Sequence, residues 1–558
     1  MRRFVPILTW LPAYDRSLLR FDVIAGATVW GLLVPEMIAY AGLAGLPPQA
    51  GLYTLLATLA AYAIFGTSRH VVAAGTSAAA VLLASTVGEV AVNHDDYLAN
   101  AAALVLFVGG LFLLAGVCRL GFIAQFLSRP VVEGFIFGLA IFVTVKQLPK
   151  LLGIQGGSGD TIRQFGHLLR HLGDTSGPTL AVGAAALVLL FGLERFTPKV
   201  PGGLVALVFG IGVSGGIDLS SHGVDIVGAV PSGLPSVSLP SLASENIPTL
   251  MAAAGGMLLV IFSESLGAAQ NFAAKYDYEI EPNQELIALG VANAGSGFLG
   301  GLAAGGSLSQ SAVNEGAGAR SEVSPLVAAL LMVPTVLLLM PLFKNLPEAV
   351  LAALIIHAVS HLFKVKEFRR YYAERRAEFW LGVATLLGVI VIDVLPALVI
   401  GVVAMLLLTV FQVSRPHLAV LGRVPGAPGA YGDVGRHLDY EPIGHMLLLR
   451  LDSPLLYANA TLVRDEVKRL VGAAEPLPKV VVLDVGANPN LDITSAEMLE
   501  QLVHSLCGVG VGFALAEVRQ PVVEMMRRTS LLAKVGENRI YRTIDEAARS
   551  LGGGDTGG

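Results

Sequence analysis

Charged residues and cysteines are scarce in this chain. Asp, Glu, Lys and Arg make up 14% of its 558 residues, and its 2 cysteines, Cys118 and Cys507, lie far apart. Cysteines without metal-ligand spacing indicate neither a disulfide framework nor a zinc site. The net charge of -5 is spread without a long basic run, so nucleic-acid binding has no support. The sequence also lacks a nucleotide-binding loop, and we expect neither an enzyme nor a bound cofactor.

Apolar residues dominate instead. The chain is 54% hydrophobic with a mean hydropathy of +0.68, which predicts a polytopic membrane protein. Apolar runs of membrane-spanning length recur from about residue 22 to about residue 413, and ordinary soluble composition follows. We therefore predict a transmembrane transport domain over 1–416, a linker rich in Gly and Pro over 417–441, and a soluble domain over 442–554.

Fourteen membrane elements are predicted in the first domain. Their centres lie near residues 32, 58, 80, 107, 140, 187, 208, 259, 291, 312, 334, 354, 386 and 404. These elements divide into seven and seven, and an odd number per half makes the second half an inverted repeat of the first. The predicted fold class is therefore an α-helical membrane protein built as a 7+7 inverted repeat, followed by a soluble domain.

The third element of each half is interrupted. Small residues around Gly75 and around Gly305-Gly306 indicate backbone that enters the membrane without helix and then begins one. Such backbone survives only where it is buried in protein or lines a polar cavity, and a pair of interruptions predicts a transporter's binding site. Two helix N-termini that face each other form an anion site, because each carries about half a positive charge. The predicted polar donors there are Thr76, Ser77, Ser307, Ser309 and Gln310. The alternative is that these small residues only allow close helix packing.

Two carboxylates lie inside predicted spans. Glu36 follows Pro35 in the first span, and Glu264 follows an apolar run in the eighth. A charge at the bilayer centre costs on the order of 3 kcal/mol, so both are candidates for carrying a coupling cation, either a proton or, at Glu264, Na⁺. The alternatives are a helix-bracing acid at Glu36 and an acid hydrogen-bonded to neighbouring backbone at Glu264.

The charges of this site favour symport. A divalent anion meets about one positive unit from the two helix ends, and an ionised Glu264 cancels it. The sequence places neither Lys nor Arg near the interruptions, so a proton or Na⁺ that enters with the anion supplies the missing charge. We therefore predict cation-coupled symport over plain anion exchange.

Basic residues predict the orientation, because they favour the cytoplasmic side. With a cytoplasmic N-terminus, the inner side receives Arg2, Arg3, Arg16, Arg20, Arg69, Arg119, Arg129, Arg195, Lys199, Lys275, Arg320, Lys364, Lys366, Arg369, Arg370, Arg375 and Arg376. The outer side receives Lys146, Lys150, Arg163, Arg170 and Lys344. This bias predicts a multi-pass protein of the cell inner membrane with its N-terminus and soluble domain in the cytoplasm.

Two further groups receive structural interpretations. His357 and His361, one helical turn apart, are interpreted as packing or interface residues. The basic cluster over 364–376 is interpreted as a cytoplasmic patch that contacts lipid headgroups.

Several segments resemble the SulP anion transporters, the sulfate permease family that includes prestin and pendrin. They cover 22–29, 34–41, 45–53, 121–131, 262–265 and 307–314. The resemblance implies the fold of uracil permeases, with a core domain that moves against a gate domain, and a homodimer. It also places the substrate site on Glu36, Tyr40, Thr76, Ser77, Glu264, Ser309 and Gln310. Many animal and plant members have arginine where this chain has Gln310, and many animal members have phenylalanine near Ser77, so exchange or motor behaviour is not implied. Bacterial members with an acid at the eighth-span position resemble cation-coupled symporters.

The soluble domain resembles a STAS domain. Residues 446–451 and 479–484 are predicted as strands and 461–471 as an amphipathic helix. In STAS anti-sigma antagonists a phosphorylated serine follows an aspartate, whereas here Ile493 follows Asp492. Thr494 and Ser495 are therefore interpreted as helix-capping residues, with phosphorylation as the alternative. The resemblance implies a regulatory or dimerisation role.

The sequence thus predicts a secondary active transporter of a small oxyanion. Sulfate is the first candidate substrate, carried with H⁺ or Na⁺ by elevator-type alternating access. The alternatives are a Na⁺-coupled bicarbonate symporter, an H⁺-coupled dicarboxylate symporter and, from a different class, a membrane sensor or scaffold that signals through its STAS domain. The predicted partners are the anion, the coupling cation, the lipid bilayer and a second copy of the chain.

Overall fold

A computed structural model describes residues 5–122, 129–157, 161–197, 200–228, 231–237, 240, 246–392 and 394–552. Arg2, Arg3 and Lys199, which enter the orientation argument, lie outside these ranges, as do residues 123–128 of one SulP-like segment and residues 553–554 of the predicted soluble domain. The chain divides into two compact units, Met1–Met405 and Leu406–Gly558, and each is described by itself.

The first unit is helical apart from two short strands, β1 (Ala73–Gly75) and β2 (Ala304–Gly306). Its helices are α1 (Ile7–Trp10), α2 (Leu19–Leu43), α3 (Pro48–Phe65), α4 (Ser77–Val90), α5 (His94–Val117), α6 (Arg129–Leu152), α7 (Thr161–Arg170), α8 (Gly177–Phe196), α9 (Gly202–Ile217), α10 (Ile247–Tyr276), α11 (Pro282–Phe298), α12 (Leu308–Gly316), α13 (Val323–Pro334), α14 (Glu348–Ser360), α15 (Val365–Glu374), α16 (Arg376–Val391) and α17 (Val394–Ser414), the last of which continues into the second unit. Beyond Pro334, α13 continues as a π-helical turn, Thr335–Leu339, and a 3₁₀ turn, Met340–Asn345.

Many of these helices are long and apolar enough to cross a bilayer. Within the described ranges, 8 helical segments satisfy both length and composition, among them Arg16–Leu43 and Ile247–Tyr276. The apolar helices Ser77–Val90 and Gly202–Ile217 are shorter. Because α4 begins only after a stretch of strand, its reduced length agrees with the predicted interruption at Gly75.

Glycines allow the helices to approach closely. A Cβ added at Gly134 of α6 would lie 2.2 Å from the carbonyl oxygen of Gly382 on α16. One added at Gly109 of α5 would lie 2.5 Å from the backbone nitrogen of Ala294 on α11. Helices in membranes associate through such small residues, because the lipid supplies no hydrophobic driving force. These contacts hold the helical scaffold together.

The second unit contains a six-stranded sheet. Its strands are β3 (Leu418–Arg423), β4 (Tyr431–Asp433), β5 (Met446–Leu451), β6 (Val480–Asp484), β7 (Gly512–Ala516) and β8 (Ile540–Tyr541), in the order β4-β3-β5-β6-β7-β8. Strands β5 to β8 pair in parallel, and β3 pairs antiparallel with both β4 and β5. The helices are α18 (Ala460–Ala473), α19 (Ile493–Gly508), α20 (Gln520–Arg528), α21 (Leu531–Val535) and α22 (Ile544–Leu551). The two predicted strands and the predicted amphipathic helix are confirmed as β5, β6 and α18.

The segment predicted as a linker over 417–441 is different in the structure. It contributes β3 and β4 to the sheet, and β3 pairs with β5 from Leu418 opposite Leu451. His417 Nε2 lies 2.9 Å from Asp433 Oδ2, and this hydrogen bond lowers the pKa of the Asp433 carboxyl. Gly and Pro in the segment form the turn between the two strands, and a turn of this kind has the same composition as a flexible linker.

The cap of helix α19 is Asp492, whereas the sequence predicts Thr494 and Ser495 as the capping residues. The Asp492 carboxylate accepts hydrogen bonds from the Ser495 backbone N–H, at 2.8 Å, and from the Ser495 hydroxyl, at 3.1 Å. The Ser495 side chain is fully buried, whereas Thr494 is exposed. Ser495 therefore completes the cap and is enclosed in the fold.

Candidate functional site

Two short strands meet in the helical unit at the predicted interruptions. Strand β1 (Ala73–Gly75) pairs antiparallel with β2 (Ala304–Gly306), with Ala74 opposite Gly305. Helix α4 begins two residues after β1, and α12 begins two residues after β2. We call this pair of strands the crossing. Because the strands run antiparallel, the two helices leave the crossing in opposite directions and their N-termini lie close together. The crossing brings the two predicted interruptions together, although 230 residues separate Gly75 from Gly305 (305 − 75 = 230).

Buried side chains satisfy the backbone of this crossing. The Asn293 amide donates to the carbonyl of Ala304 and accepts from its N–H, both at 2.8 Å. The Thr58 hydroxyl donates to the Ala73 carbonyl at 2.8 Å, and the Ser265 hydroxyl accepts from the Gly306 N–H at 2.7 Å. Non-helical backbone inside a bilayer needs such partners, because lipid supplies none.

The two helix starts differ in their caps. The Thr76 hydroxyl accepts from the Ala79 N–H at 3.2 Å and so caps α4. Among the described residues, Ser307 makes no side-chain cap bond at the start of α12; its hydroxyl lies 3.0 Å from that of Ser309. Thr76 and Ser77 are buried, at 8% exposure each, and Ser309 is exposed. The first N–H groups of α12 are therefore the more available donors for an anion.

Glu36 and Gln310 are joined by a hydrogen bond. The Gln310 Nε2 group donates to Glu36 Oε2 at 2.9 Å and approaches the Gly75 carbonyl oxygen at 3.4 Å. Gln310 is 2% exposed, and its Oε1 atom has no hydrogen-bond partner within the described part of the chain. The amide thus directs its Nε2 group toward the Glu36 carboxylate and the Gly75 carbonyl, and its oxygen is a buried acceptor without a donor in the described part of the chain.

Tyr40, Ser77 and Glu264 complete the group of predicted residues. The Tyr40 side chain lies near Ser77 and near the carboxyl groups of Glu36 and Glu264. Tyr40 is buried, whereas both glutamates are partly exposed. Helices α2, α4, α10 and α12 therefore bring the predicted residues to one place. Their roles in binding remain predictions.

Sequence reasoning missed several contributors. Lys364, just before α15, interacts electrostatically with Glu264, although it is far from Glu264 in sequence. Its side chain is 48% exposed, so solvent screens its charge. Ser265 and Asn293 were also missed as partners of β2, as was Thr58 as a partner of β1. Each of these three is a polar residue in a predicted apolar span, and this pattern indicates a buried polar contact. The sequence does not indicate which strand each one contacts.

Two cavities lie outside this group. One, of about 510 Å³, is lined by residues of α6, α15 and α16, including Arg129, Glu133 and Tyr371. The other, of about 230 Å³, lies between α2, α6 and α14 and contains the 3.0 Å ion pair of Lys150 with Glu348. Neither lining includes the residues at the strand crossing, so the candidate site is defined by its hydrogen-bonding groups and not by cavity volume.

Gly305→Ala is expected to damage the crossing. The added Cβ would lie 2.6 Å from Ile261 Cγ2 and 2.9 Å from Ser265 Oγ, and neither atom can move freely. Overpacking of this kind costs about 1–3 kcal/mol, so we expect a lower unfolding temperature in detergent and reduced uptake. Gly267→Ala on α10 is the control, because nothing lies within 4 Å of its added Cβ. Wild-type stability and uptake in Gly305→Ala would show that the crossing tolerates a side chain.

Paired strands, facing helix starts and intramembrane carboxylates together define a membrane transporter. The chain belongs to the sulfate permease family, which matches residues 19–385, and residues 437–547 match the STAS domain. It is 33% identical to a probable sulfate transporter of Mycobacterium tuberculosis over 98% of this chain and 99% of that protein. It is 30% identical to a high affinity sulfate transporter of Stylosanthes hamata, over 98% of this chain and 86% of that protein. Prestin of Danio rerio is 31% identical over 84% of this chain and 68% of that protein.

Solved structures share the fold. The murine solute carrier 26 family member A9 anion transporter, in its inward-facing state, superposes with a TM-score of 0.90 over 99% of this chain and 94% of that chain, at 21% identity. The transmembrane domain of the cyanobacterial bicarbonate transporter BicA gives a TM-score of 0.61 over 70% of this chain and 98% of that chain, at 22% identity. The chain therefore has a helical membrane transporter fold with a C-terminal STAS domain.

Proposed function

We propose that this chain is a secondary active anion transporter that carries sulfate together with H⁺ or Na⁺. The observation that carries the proposal is the β1–β2 crossing, which brings the starts of α4 and α12 beside Glu36 and Gln310. The names of its sulfate-transporting relatives make sulfate the first candidate substrate. Bicarbonate and a dicarboxylate are the alternatives, because helix N-termini recognise an oxyanion without specifying which one.

The charge of the proposed site requires a mobile cation. Two helix N-termini contribute about one positive unit, and a sulfate ion carries two negative charges. Lys364 contributes little, because it is half exposed. Glu36 and Glu264 each add a negative charge when ionised, so a proton or Na⁺ at both carboxylates reduces the net charge of the loaded site from about −3 to about −1. This reduction favours symport.

We assign Gln310 a role in linking the proton to the anion. While Glu36 is ionised, it holds the Gln310 N–H group at 2.9 Å, and Gln310 Oε1 stays without a donor among the described residues. A proton on Glu36 reverses this preference, because the acid then donates to Oε1 and the amide turns over. The turned amide presents its N–H groups to the anion. Proton uptake and anion binding thereby stabilise each other.

Na⁺ would be held differently. In the described part of the chain, Glu264 does not belong to a group of three acidic, His or Cys side chains able to hold a metal ion. A Na⁺ ion at Glu264 would instead use one carboxylate oxygen with hydroxyl and carbonyl oxygens near the strand crossing. Unwound backbone of this kind coordinates Na⁺ in other transporters.

The proposal includes the larger motions and the setting of the protein. The helices form fourteen membrane elements in two inverted halves of seven, with the core carrying α4 and α12 in an elevator-type movement against the gate. The N-terminus and the STAS domain lie in the cytoplasm, in an inner membrane, and the chain forms a homodimer. The basic bias of the predicted inner loops supports this orientation.

Uptake into proteoliposomes tests the proposal. We expect labelled sulfate to accumulate above its external concentration when a proton or Na⁺ gradient is imposed, and to equilibrate without accumulation when neither is present. Labelled bicarbonate and fumarate, tested alongside, identify the preferred anion. Absence of accumulation for all three anions would contradict transport and favour a sensor or scaffold that signals through its STAS domain.

A further inference from the structure

Two histidines and a glutamate converge where α8 and α14 pack together. His357 Nε2 lies 3.0 Å from Glu194 Oε2, and His361 Nε2 lies 3.7 Å from Glu194 Oε1. The ligand atoms of the three side chains all lie within 4.8 Å of one another. From sequence, the two histidines, one helical turn apart, are predicted to be packing or interface residues. The structure instead places a carboxylate against both imidazoles.

This spacing is close to that of a transition-metal site. A tetrahedral Zn²⁺ ion with bonds of about 2.0–2.2 Å separates its ligand atoms by roughly 3.3–3.5 Å. The observed separations of 3.0 and 3.7 Å lie on either side of this range. Small changes in side-chain rotamer would bring all three ligands onto one ion. Each imidazole faces a different oxygen of the same carboxylate.

A hydrogen bond explains only part of the arrangement. His357 and Glu194 are close enough for a hydrogen bond. The 3.7 Å between His361 Nε2 and Glu194 Oε1 is too long for one. The His357 ring is held in place by edge contacts with Phe191, at 4.9 Å between ring centroids, and with His361, at 5.1 Å. The side chains of Glu194 and His361 are 46% and 47% exposed, so a dissolved ion can reach them.

We propose that Glu194, His357 and His361 form a binding site for a divalent transition-metal ion of the Zn²⁺ class. Two imidazoles and one carboxylate suit Zn²⁺, Ni²⁺ or Co²⁺, whereas Mg²⁺ and Ca²⁺ prefer ligands made only of oxygen. Three protein ligands leave a coordination position open for water. The ion links α8 to α14, and α14 also packs against α2, the helix that carries Glu36. The site therefore gives metal ions a means of bracing the helices next to the candidate anion site.

Metal titration of the purified full chain in detergent tests this proposal. We expect one equivalent of Zn²⁺ to bind by calorimetry, Co²⁺ to give the visible spectrum of a protein-bound ion, and excess Mg²⁺ to displace neither. His361→Ala and Glu194→Gln change exposed side chains and should each weaken Zn²⁺ binding by more than about tenfold.

His171→Ala is the matched control. His167 and His171 are also one turn apart, with ring centroids 4.0 Å apart, but among the described residues they do not belong to such a three-ligand group. This variant should bind Zn²⁺ as the wild type does. Equal Zn²⁺ affinity in the wild type, His361→Ala and Glu194→Gln would overturn the proposal, as would absence of Zn²⁺ binding by the wild type. The result does not depend on sulfate transport.

Discussion

Glu264→Gln is expected to abolish gradient-driven accumulation of sulfate while leaving sulfate binding measurable. The substitution keeps the size of the side chain and its place on α10 but removes the carboxylate that we propose to take up the coupling cation. The steady-state ratio of internal to external sulfate should fall to about one under an imposed proton or Na⁺ gradient. Labelled uptake into proteoliposomes measures this ratio, and equilibrium binding in detergent measures the retained affinity.

The control for Glu264→Gln is Glu374→Gln. The Glu374 side chain is 60% exposed on α15, where it pairs with Arg370 at 3.1 Å. Removing its charge should leave accumulation at the wild-type ratio. Undiminished concentrative uptake by Glu264→Gln would show that Glu264 does not carry the coupling cation. Loss of both binding and uptake, with a lowered unfolding temperature, would assign it a structural role instead.

Glu36→Gln should separate anion binding from proton coupling. A neutral amide at position 36 no longer holds the Gln310 N–H group as a carboxylate does, so sulfate affinity should stop depending on pH. Wild-type affinity should weaken as pH rises, because ionised Glu36 then draws the amide away from the anion. We expect the steady-state ratio of internal to external sulfate in Glu36→Gln to fall close to one. Sulfate binding measured across pH in both proteins tests this.

Gln310→Met completes the test of the same contact. Methionine keeps a similar length without either amide group, so sulfate affinity should fall about tenfold at low pH, where the wild-type amide faces the anion, the loss of roughly one charge-assisted hydrogen bond. At high pH, where ionised Glu36 holds the wild-type amide, the two affinities should converge. Gln164→Met on α7, outside the candidate site, should bind sulfate normally. A Gln310→Met protein with wild-type affinity and wild-type pH dependence would refute the role assigned to this amide.

Much of the fold could be predicted because the bilayer restricts the possibilities. Apolar runs give the helices, and Gly75 and Gly305 mark the two places where helix gives way to strand. The helix and two strands of the soluble domain followed from periodicity in the same way. Composition predicts a linker over 417–441, but the structure has two paired strands there, because glycine and proline also form the turn between such strands.

The sequence indicates which residues belong to the candidate site, but it does not indicate which of them contact one another. Periodicity identifies a carboxylate inside a span, yet Gln310 lies 274 residues from the Glu36 that it contacts. For the same reason, the sequence does not show that Lys364 lies near Glu264 or that Glu194 contacts His357. Such contacts depend on which helices pack together, and a single sequence does not contain that information directly.

We propose that the anion enters together with a cation, and the proton or Na⁺ flux that accompanies sulfate is the most direct measurement of this coupling. Proteoliposomes containing a pH-sensitive dye receive external sulfate, first without Na⁺ and then with it, while labelled Na⁺ uptake is followed in parallel. In the proposed symport, sulfate evokes inward flux of one of these cations in the wild type and none in Glu264→Gln. Sulfate entry without any accompanying flux of either cation would contradict it.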